Sequence, residues 1–369
     1  MKHRSLRRIV GLFAAVGLLL AACGEADDDD DATDTTAEGG AGGAADFQAC
    51  QVTDTGGVDD RSFNQTAFAG VTQAEDELGI EASVLESQSD ADFDPNIQTF
   101  IDQGCDIIVT VGFLLGDATA AAAEANPDQQ FAIVDFDFFD LDAGEDVTFD
   151  NVRELTFSTD QAAFLAGYLA AGMTQTGRIG TYGGINIPTV NIFMKGFEAG
   201  MSYYNDQKGT AVQLVGWSTA ADDGLFTGDF EDQTKGRATT EQLLDEGADI
   251  ILPVAGPVGL GSVEAIRARG NTARLIWVDT DGCVSVEQAC DLFLTSVMKN
   301  MNVAVFDTVS AAVGGEFEGG LYVGTLENQG VDIAPFNEFE GQVPAELTSE
   351  IDLLREEIIA GNIETILGG

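Results

Sequence analysis

The sequence predicts an α/β protein built as two wound lobes, each around a parallel β-sheet. Short apolar runs alternate with longer amphipathic stretches, and strands separated by helical patterns imply parallel pairing. The alternation occurs twice, before and after roughly Phe157, which implies two sheets. A chain of 369 residues, 44% apolar and with 23 Phe, has core enough for two domains despite a formal net charge of −47.

The chain begins with a leader. Residues 1–8 are basic, and residues 9–22 form an apolar run short for a bilayer span but suited to a secretory leader. The run ends in Leu20-Ala21-Ala22-Cys23-Gly24, which resembles a bacterial lipoprotein cleavage box with Cys23 as the lipid-modified residue. An ordinary leader with a chance cysteine is the alternative. Loss of residues 1–22 removes Lys2, Arg4, Arg7 and Arg8, leaving 12 cations against 63 carboxylates and a charge of −51. Residues 23–46 hold the run Asp27 to Asp31 and four glycines between 39 and 43. They are predicted to be a disordered acidic tether reaching on the order of 25 Å.

Strand candidates follow at residues 47–53, 81–86, 106–111, 131–134, 178–183, 211–216, 250–254, 274–278, 292–298 and 320–324. Amphipathic helix candidates lie at 64–77, 96–103, 117–124, 159–173 and 191–205. In open parallel sheets a ligand sits beyond the carboxyl ends of the strands. Those ends carry Asp54 through Gln65, Asp135, Gly183 through Phe193, Ala255-Gly256-Pro257, Asp279-Thr280-Asp281 and Lys299. Both halves thus present carboxylates, small residues and one aromatic each to a common edge, and a cleft between the lobes follows.

The composition also excludes. The single histidine, His3, lies in the leader, so histidine-based catalysis and histidine-ligated metal drop out of the mature chain. So few cations cannot assemble a nucleic-acid footprint. No cofactor or metal is expected. Apart from Cys23, Cys50, Cys105, Cys283 and Cys290 make an even four and allow three pairings. Cys283 and Cys290 are close in sequence. Cys50 and Cys105 begin the first and third strand candidates, neighbours in a flavodoxin-like order. These two disulfides are the expectation, with a four-thiolate metal site as the alternative.

Six motifs, in order, resemble the basic membrane protein family of purine-nucleoside-receptor-type, substrate-binding lipoproteins of ABC transporters. They are Asp54…Asp60-Arg61-Ser62-Phe63-Asn64-Gln65, Phe131-Ala132-Ile133-Val134-Asp135, Phe193…Gly196-Phe197…Gly200, Gly247-Ala248-Asp249-Ile250-Ile251, Val278-Asp279-Thr280-Asp281 and Ser296-Val297-Met298-Lys299. The resemblance runs from about Phe47 to the C-terminal helix. It implies a type I periplasmic-binding-protein fold, with two Rossmann-like lobes joined by three crossovers. Placing these near Phe157, at 281–283 and near Gly319 gives lobe 1 as 47–157 plus 283–318, and lobe 2 as 158–282 plus 319–369.

The resemblance also implies a ligand site. Phe63 and Phe193 would sandwich a purine, Asp135 would accept from the purine edge with help from Asn64, and Asp279 would accept from the ribose hydroxyls. Lys299 would donate to a ribose oxygen or hold neighbouring carboxylates, Gly256 would bring backbone to the sugar, and Asp54 would orient its neighbours. Asp281 has two readings, sugar contact or crossover capping. This chain departs from the family pattern at Pro257, where a second glycine is expected, at Asn300, where a base is expected, and in an apparent insertion at 218–228 bordered by Trp217 and Phe226. The implied protein is a monomeric, membrane-anchored receptor on the extracytoplasmic face, not an enzyme, passing a nucleoside to an ABC permease. A ligand sensor and a nucleoside-cleaving enzyme are the alternatives.

Overall fold

The computed structural model describes residues 44–140 and 145–366. The expected leader, Cys23 and most of the expected tether lie outside the described residues. Residues 44–46, assigned to the tether, form a 3-10 turn leading into the first strand. No helix among the described residues is long and apolar enough to cross a membrane.

Twelve strands build the two main sheets. They are β1 (Gln48–Thr53), β2 (Glu81–Leu85), β3 (Ile107–Val111), β4 (Gln130–Val134), β5 (Val152–Phe157), β6 (Arg178–Gly183), β7 (Gln213–Val215), β8 (Ile250–Val254), β9 (Arg274–Asp279), β10 (Phe293–Lys299), β11 (Gly320–Gly324) and β12 (Val331–Ile333). The helices are α1 (Phe63–Leu78), α2 (Phe93–Gln103), α3 (Gly116–Ala125), α4 (Thr159–Met173), α5 (Pro188–Lys208), α6 (Gln233–Asp245), α7 (Leu260–Ala268), the short α8 (Gly282–Ser285), α9 (Met301–Val313) and α10 (Ala345–Ile359).

The sheets run β11-β5-β4-β3-β1-β2 and β12-β10-β9-β8-β6-β7. Every pairing in the first is parallel. In the second only β12 is antiparallel, against β10. Strands β3 and β8 are buried at every position, as strands covered by helices on both faces must be. Two close approaches set the second lobe's helix layer. A Cβ at Gly167 would stand 2.1 Å from Phe197 O, and one at Gly200 1.9 Å from Phe164 O, so α4 and α5 pack backbone to backbone.

The strand pairing moves two of the three expected crossovers. β10 pairs with β9 from Leu275↔Phe293 to Asp279↔Met298, so residues 283–299 stay in the second lobe and the chain crosses after Lys299. β11 pairs with β5, Gly324 opposite Phe157, so residues 320–324 belong to the first lobe and the third crossing spans 324–331. The turn signals at Asp281 and Gly319 have other causes. Asp281 caps α8, and Gly319 lies where a Cβ would be 2.4 Å from Phe149 O. Strands β5 and β12 lie outside the expected set.

The crossovers are knitted together. Ser158 N donates to Gly324 O at 2.8 Å, Asn300 N to Gly330 O at 2.9 Å, and Leu326 N to Gln161 Oε1 at 2.9 Å. At Gly330 a Cβ would lie 2.3 Å from Gly324 Cα, so the two ends of the third crossing touch. Cys50 is bonded to Cys105, and Cys283 to Cys290.

Candidate functional site

The carboxyl ends of both sheets face one cavity that opens to solvent. The first lobe contributes Asp54 after β1, Asp60, Phe63 and Asn64 at the start of α1, Gly112 and Phe113 after β3, and Asp135 after β4. The second contributes Phe193, Gly256, Pro257, Phe230, Asp279 and Lys299, among others. Eight of the nine candidate ligand residues therefore share one space. Asp281 does not line it. Its side chain accepts from Cys283 N at 2.9 Å and from Asn337 Nδ2, because it follows the strand end and caps a new helix instead of facing inward.

The cation is central. Lys299 Nζ is ion-paired with Asp135 and lies 4.8 Å from the Phe63 ring centroid and 5.6 Å from those of Phe157 and Phe193. Ammonium over aromatic faces is favourable, more so when desolvated. Phe63 and Phe193 come from opposite lobes yet approach the same atom. Phe157 touches the lysine from the hinge side, where its ring also packs on Gly324.

The carboxylates outnumber it. Asp54, Asp60, Asp135 and Asp279 are each no more than 7% exposed, and among the described residues of the wall Lys299 is the one cation. Burial pushes Asp54 up to about 8 and Asp60 up to about 6. Burial also raises Asp135 and Asp279, and the Lys299 ammonium pulls both back.

Local structure aims these groups. Asp135 and Asp279 both take left-handed backbone, φ 66° and 68°, a conformation Asp tolerates better than most residues. Asp60 accepts from the N–H groups of Ser62, Asn64 and Gln65 at 2.9, 2.7 and 3.1 Å, which satisfies the exposed donors of the α1 N-terminus. Asn64 Nδ2 donates to Asp54 Oδ1 at 2.9 Å, while Asn64 Oδ1 has no partner among the described residues and is left to accept. Gly112 (φ 117°) is required beside Asp54, where a Cβ would meet Oδ2 at 2.5 Å.

The departures have structural outcomes. Pro257 lines the cavity and has no N–H to donate. Asn300 braces the crossings, with Nδ2 donating to Gln329 O at 2.6 Å. Within 218–228, residues 223–224 pair antiparallel with 217–218, and Trp217 meets Phe226 edge-on at 6.2 Å. Both rings are packing. Phe230, just beyond, lines the cavity, as do Phe113, Ile187, Thr189 and Val190. Ile187, Thr189 and Val190 lie within the strand-end segment 183–193 without an assigned role, and Phe113 and Phe230 lie outside the segments named from the sequence. Asp60 stands in the first motif but has no assigned role there, although an Asp two residues before Ser62 and a helix is an N-terminal signal.

The family model described as ABC transporter substrate-binding protein PnrA-like matches residues 47–365. The chain is 31% identical over 335 residues to the ABC transporter nucleoside-binding protein BmpA of Lactococcus lactis, covering 86% of this chain and 88% of that one. It is 32% identical over 305 residues to basic membrane protein A of Borreliella burgdorferi, covering 82% and 83%. The solved structure of an ABC transporter solute-binding protein from Aeropyrum pernix K1 matches with a TM-score of 0.76 at 26% identity, covering 86% of this chain and 92% of that one.

Proposed function

The chain belongs to the PnrA-like family of ABC transporter substrate-binding proteins, and from that premise we propose that it is a lipid-anchored, extracytoplasmic receptor for a purine nucleoside. In this reading the leader is removed, Cys23 carries the lipid, and the monomer delivers its ligand from the closed cleft to a permease.

One observation carries the ligand assignment: Phe63 and Phe193, one from each lobe, approach a single buried lysine in a cavity rich in acceptors. A flat heteroaromatic ring fits between two such faces, and stacking contributes roughly 1–3 kcal/mol per base. Asp135 and Asn64 Oδ1 accept from the ring's N–H edge. Asp279 accepts from a pair of adjacent hydroxyls, since a carboxylate offers several lone pairs. Lys299 neutralises Asp135 and donates toward the ligand. Contacts from both lobes favour the closed state, and the hinge lies in the knitted crossovers.

Charge sets the class. A phosphate brought among Asp60, Asp135 and Asp279, with one lysine already ion-paired, is repelled, so nucleotides should bind far more weakly than nucleosides. The relative from Lactococcus lactis, described as nucleoside-binding, supports the same class. Isothermal titration of the full chain with nucleosides, bases, nucleotides and sugars tests it. Heat with inosine, guanosine or adenosine and none with their monophosphates is expected. No heat with any purine nucleoside would sink the assignment.

A further inference from the structure

The loop ahead of α1 reaches across the cleft. Ser62 Oγ donates to Asp279 Oδ2 at 2.5 Å and also lies 3.4 Å from Val278 O, both on the opposite lobe. Its neighbour Arg61 is held at both ends. Trp277 Nε1 donates to Arg61 O at 3.3 Å, and Arg61 Nη1 donates to Ser285 O at 3.0 Å. These contacts join residues more than 200 positions apart, and among the described residues the only covalent links between the lobes are the crossovers. Ser62 and Trp277 are fully buried, so water cannot replace their bonds without a movement of the lobes, whereas the Arg61 bond to Ser285 is exposed.

The loop is shaped for this task. Arg61 is held at φ 58°, unfavourable for a long side chain, and Asp60 fixes the following turn through three N–H groups. A backbone strained in this way persists only where its surroundings hold it. Here those surroundings include the other lobe.

We infer that Arg61 and Ser62 form a cross-cleft latch, in which Ser62 is a positioning residue that orients Asp279 only when the lobes are closed. With Ser62 on Oδ2, the other oxygen of Asp279 is left for the ligand. An open cleft separates Ser62 from Asp279, so the acceptor is complete only after closure. The latch therefore governs release more than capture. This rests on the nucleoside reading for its ligand, but the latch itself belongs to the protein alone.

Two variants of the full chain test it, Ser62→Ala and Arg61→Gly, the second chosen because glycine adopts the left-handed backbone at no cost. Stopped-flow binding of inosine or guanosine should show dissociation faster by about ten-fold for Ser62→Ala, the usual worth of a hydrogen bond to a charged group. Association should change less than about two-fold. Small-angle X-ray scattering of the ligand-free variants should show a larger radius of gyration than the parent chain. Unchanged dissociation together with unchanged scattering overturns the latch. So does a loss that falls equally on association and dissociation, as a merely destabilised α1 would give. If the parent chain binds no nucleoside, the ligand reading fails, and scattering alone judges the latch.

Discussion

Asp135 and Asp279 occupy matching places in the two lobes. Asp135 follows and Asp279 ends a central strand of its sheet, each takes the left-handed backbone, and each is buried against the same cavity. Their partners differ. Asp135 is ion-paired with Lys299 from the other lobe, whereas Asp279 holds the hydroxyl of Ser62, also from the other lobe. One backbone device thus serves two electrostatic solutions. The ammonium pulls on both carboxylates, but it is Asp135 that pairs with it directly, while Asp279 is also held by a hydroxyl dipole. The shared backbone conformation fixes where a carboxylate is aimed, and the opposite lobe decides how its charge is met.

The difference can be broken most severely at Asp135. Asp135→Asn keeps the backbone, since Asn also tolerates the left-handed region, but strands Lys299 without its counter-ion. A loss of about 3 kcal/mol is expected from urea unfolding at pH 7, at the lower end for a broken buried pair because Asp279 still faces the lysine. Asp279→Asn should cost much less, because a carbonyl oxygen still accepts from Ser62 and Lys299 keeps its ion pair with Asp135. Equal losses in the two variants would erase the distinction.

Next in size comes the aromatic pair. Phe63→Ala and Phe193→Ala should each weaken purine nucleoside binding by roughly 1–3 kcal/mol, or about 5- to 150-fold, by calorimetry. A loss confined to one of them would mean that a single lobe holds the ring.

Taken per pH unit, the proton effect is the smallest. Burial lifts Asp54 from 3.8 to about 8, so between these values the folded chain keeps a proton that the unfolded chain releases. Such a group makes stability fall as pH rises through that window, by at most about 1.4 kcal/mol per pH unit. Asp54→Asn should flatten the dependence measured by urea unfolding between pH 5 and 8. An unaltered slope would assign it to other groups.

Much of this was legible in the sequence, for stated reasons. Strand ends advertise themselves when an apolar run stops at Asp or Lys, which is how Asp54, Asp135, Asp279 and Lys299 were found together. β5 was not legible because Arg153 and Glu154 interrupt its apolar pattern, and Glu154 is buried against Phe138 N instead of facing solvent. The second crossover was misplaced because Asp281 and Gly282 look like a break in the chain while serving only a helix start. Phe157 escaped notice as a neighbour of Lys299 because that contact joins two crossovers far apart in sequence.

The touching glycines of the third crossing have a mechanical consequence. Gly324 and Gly330 leave no space for even one methyl group, so the hinge operates at zero clearance on that side. A single alanine at 330 would act as a wedge, driving the ends of the crossing apart while touching nothing in the cavity. Such a chain would stand ajar, visible as an enlarged radius of gyration, and would meet ligand without being able to keep it. A receptor's grip can thus be set from its spine, by the volume of one carbon atom.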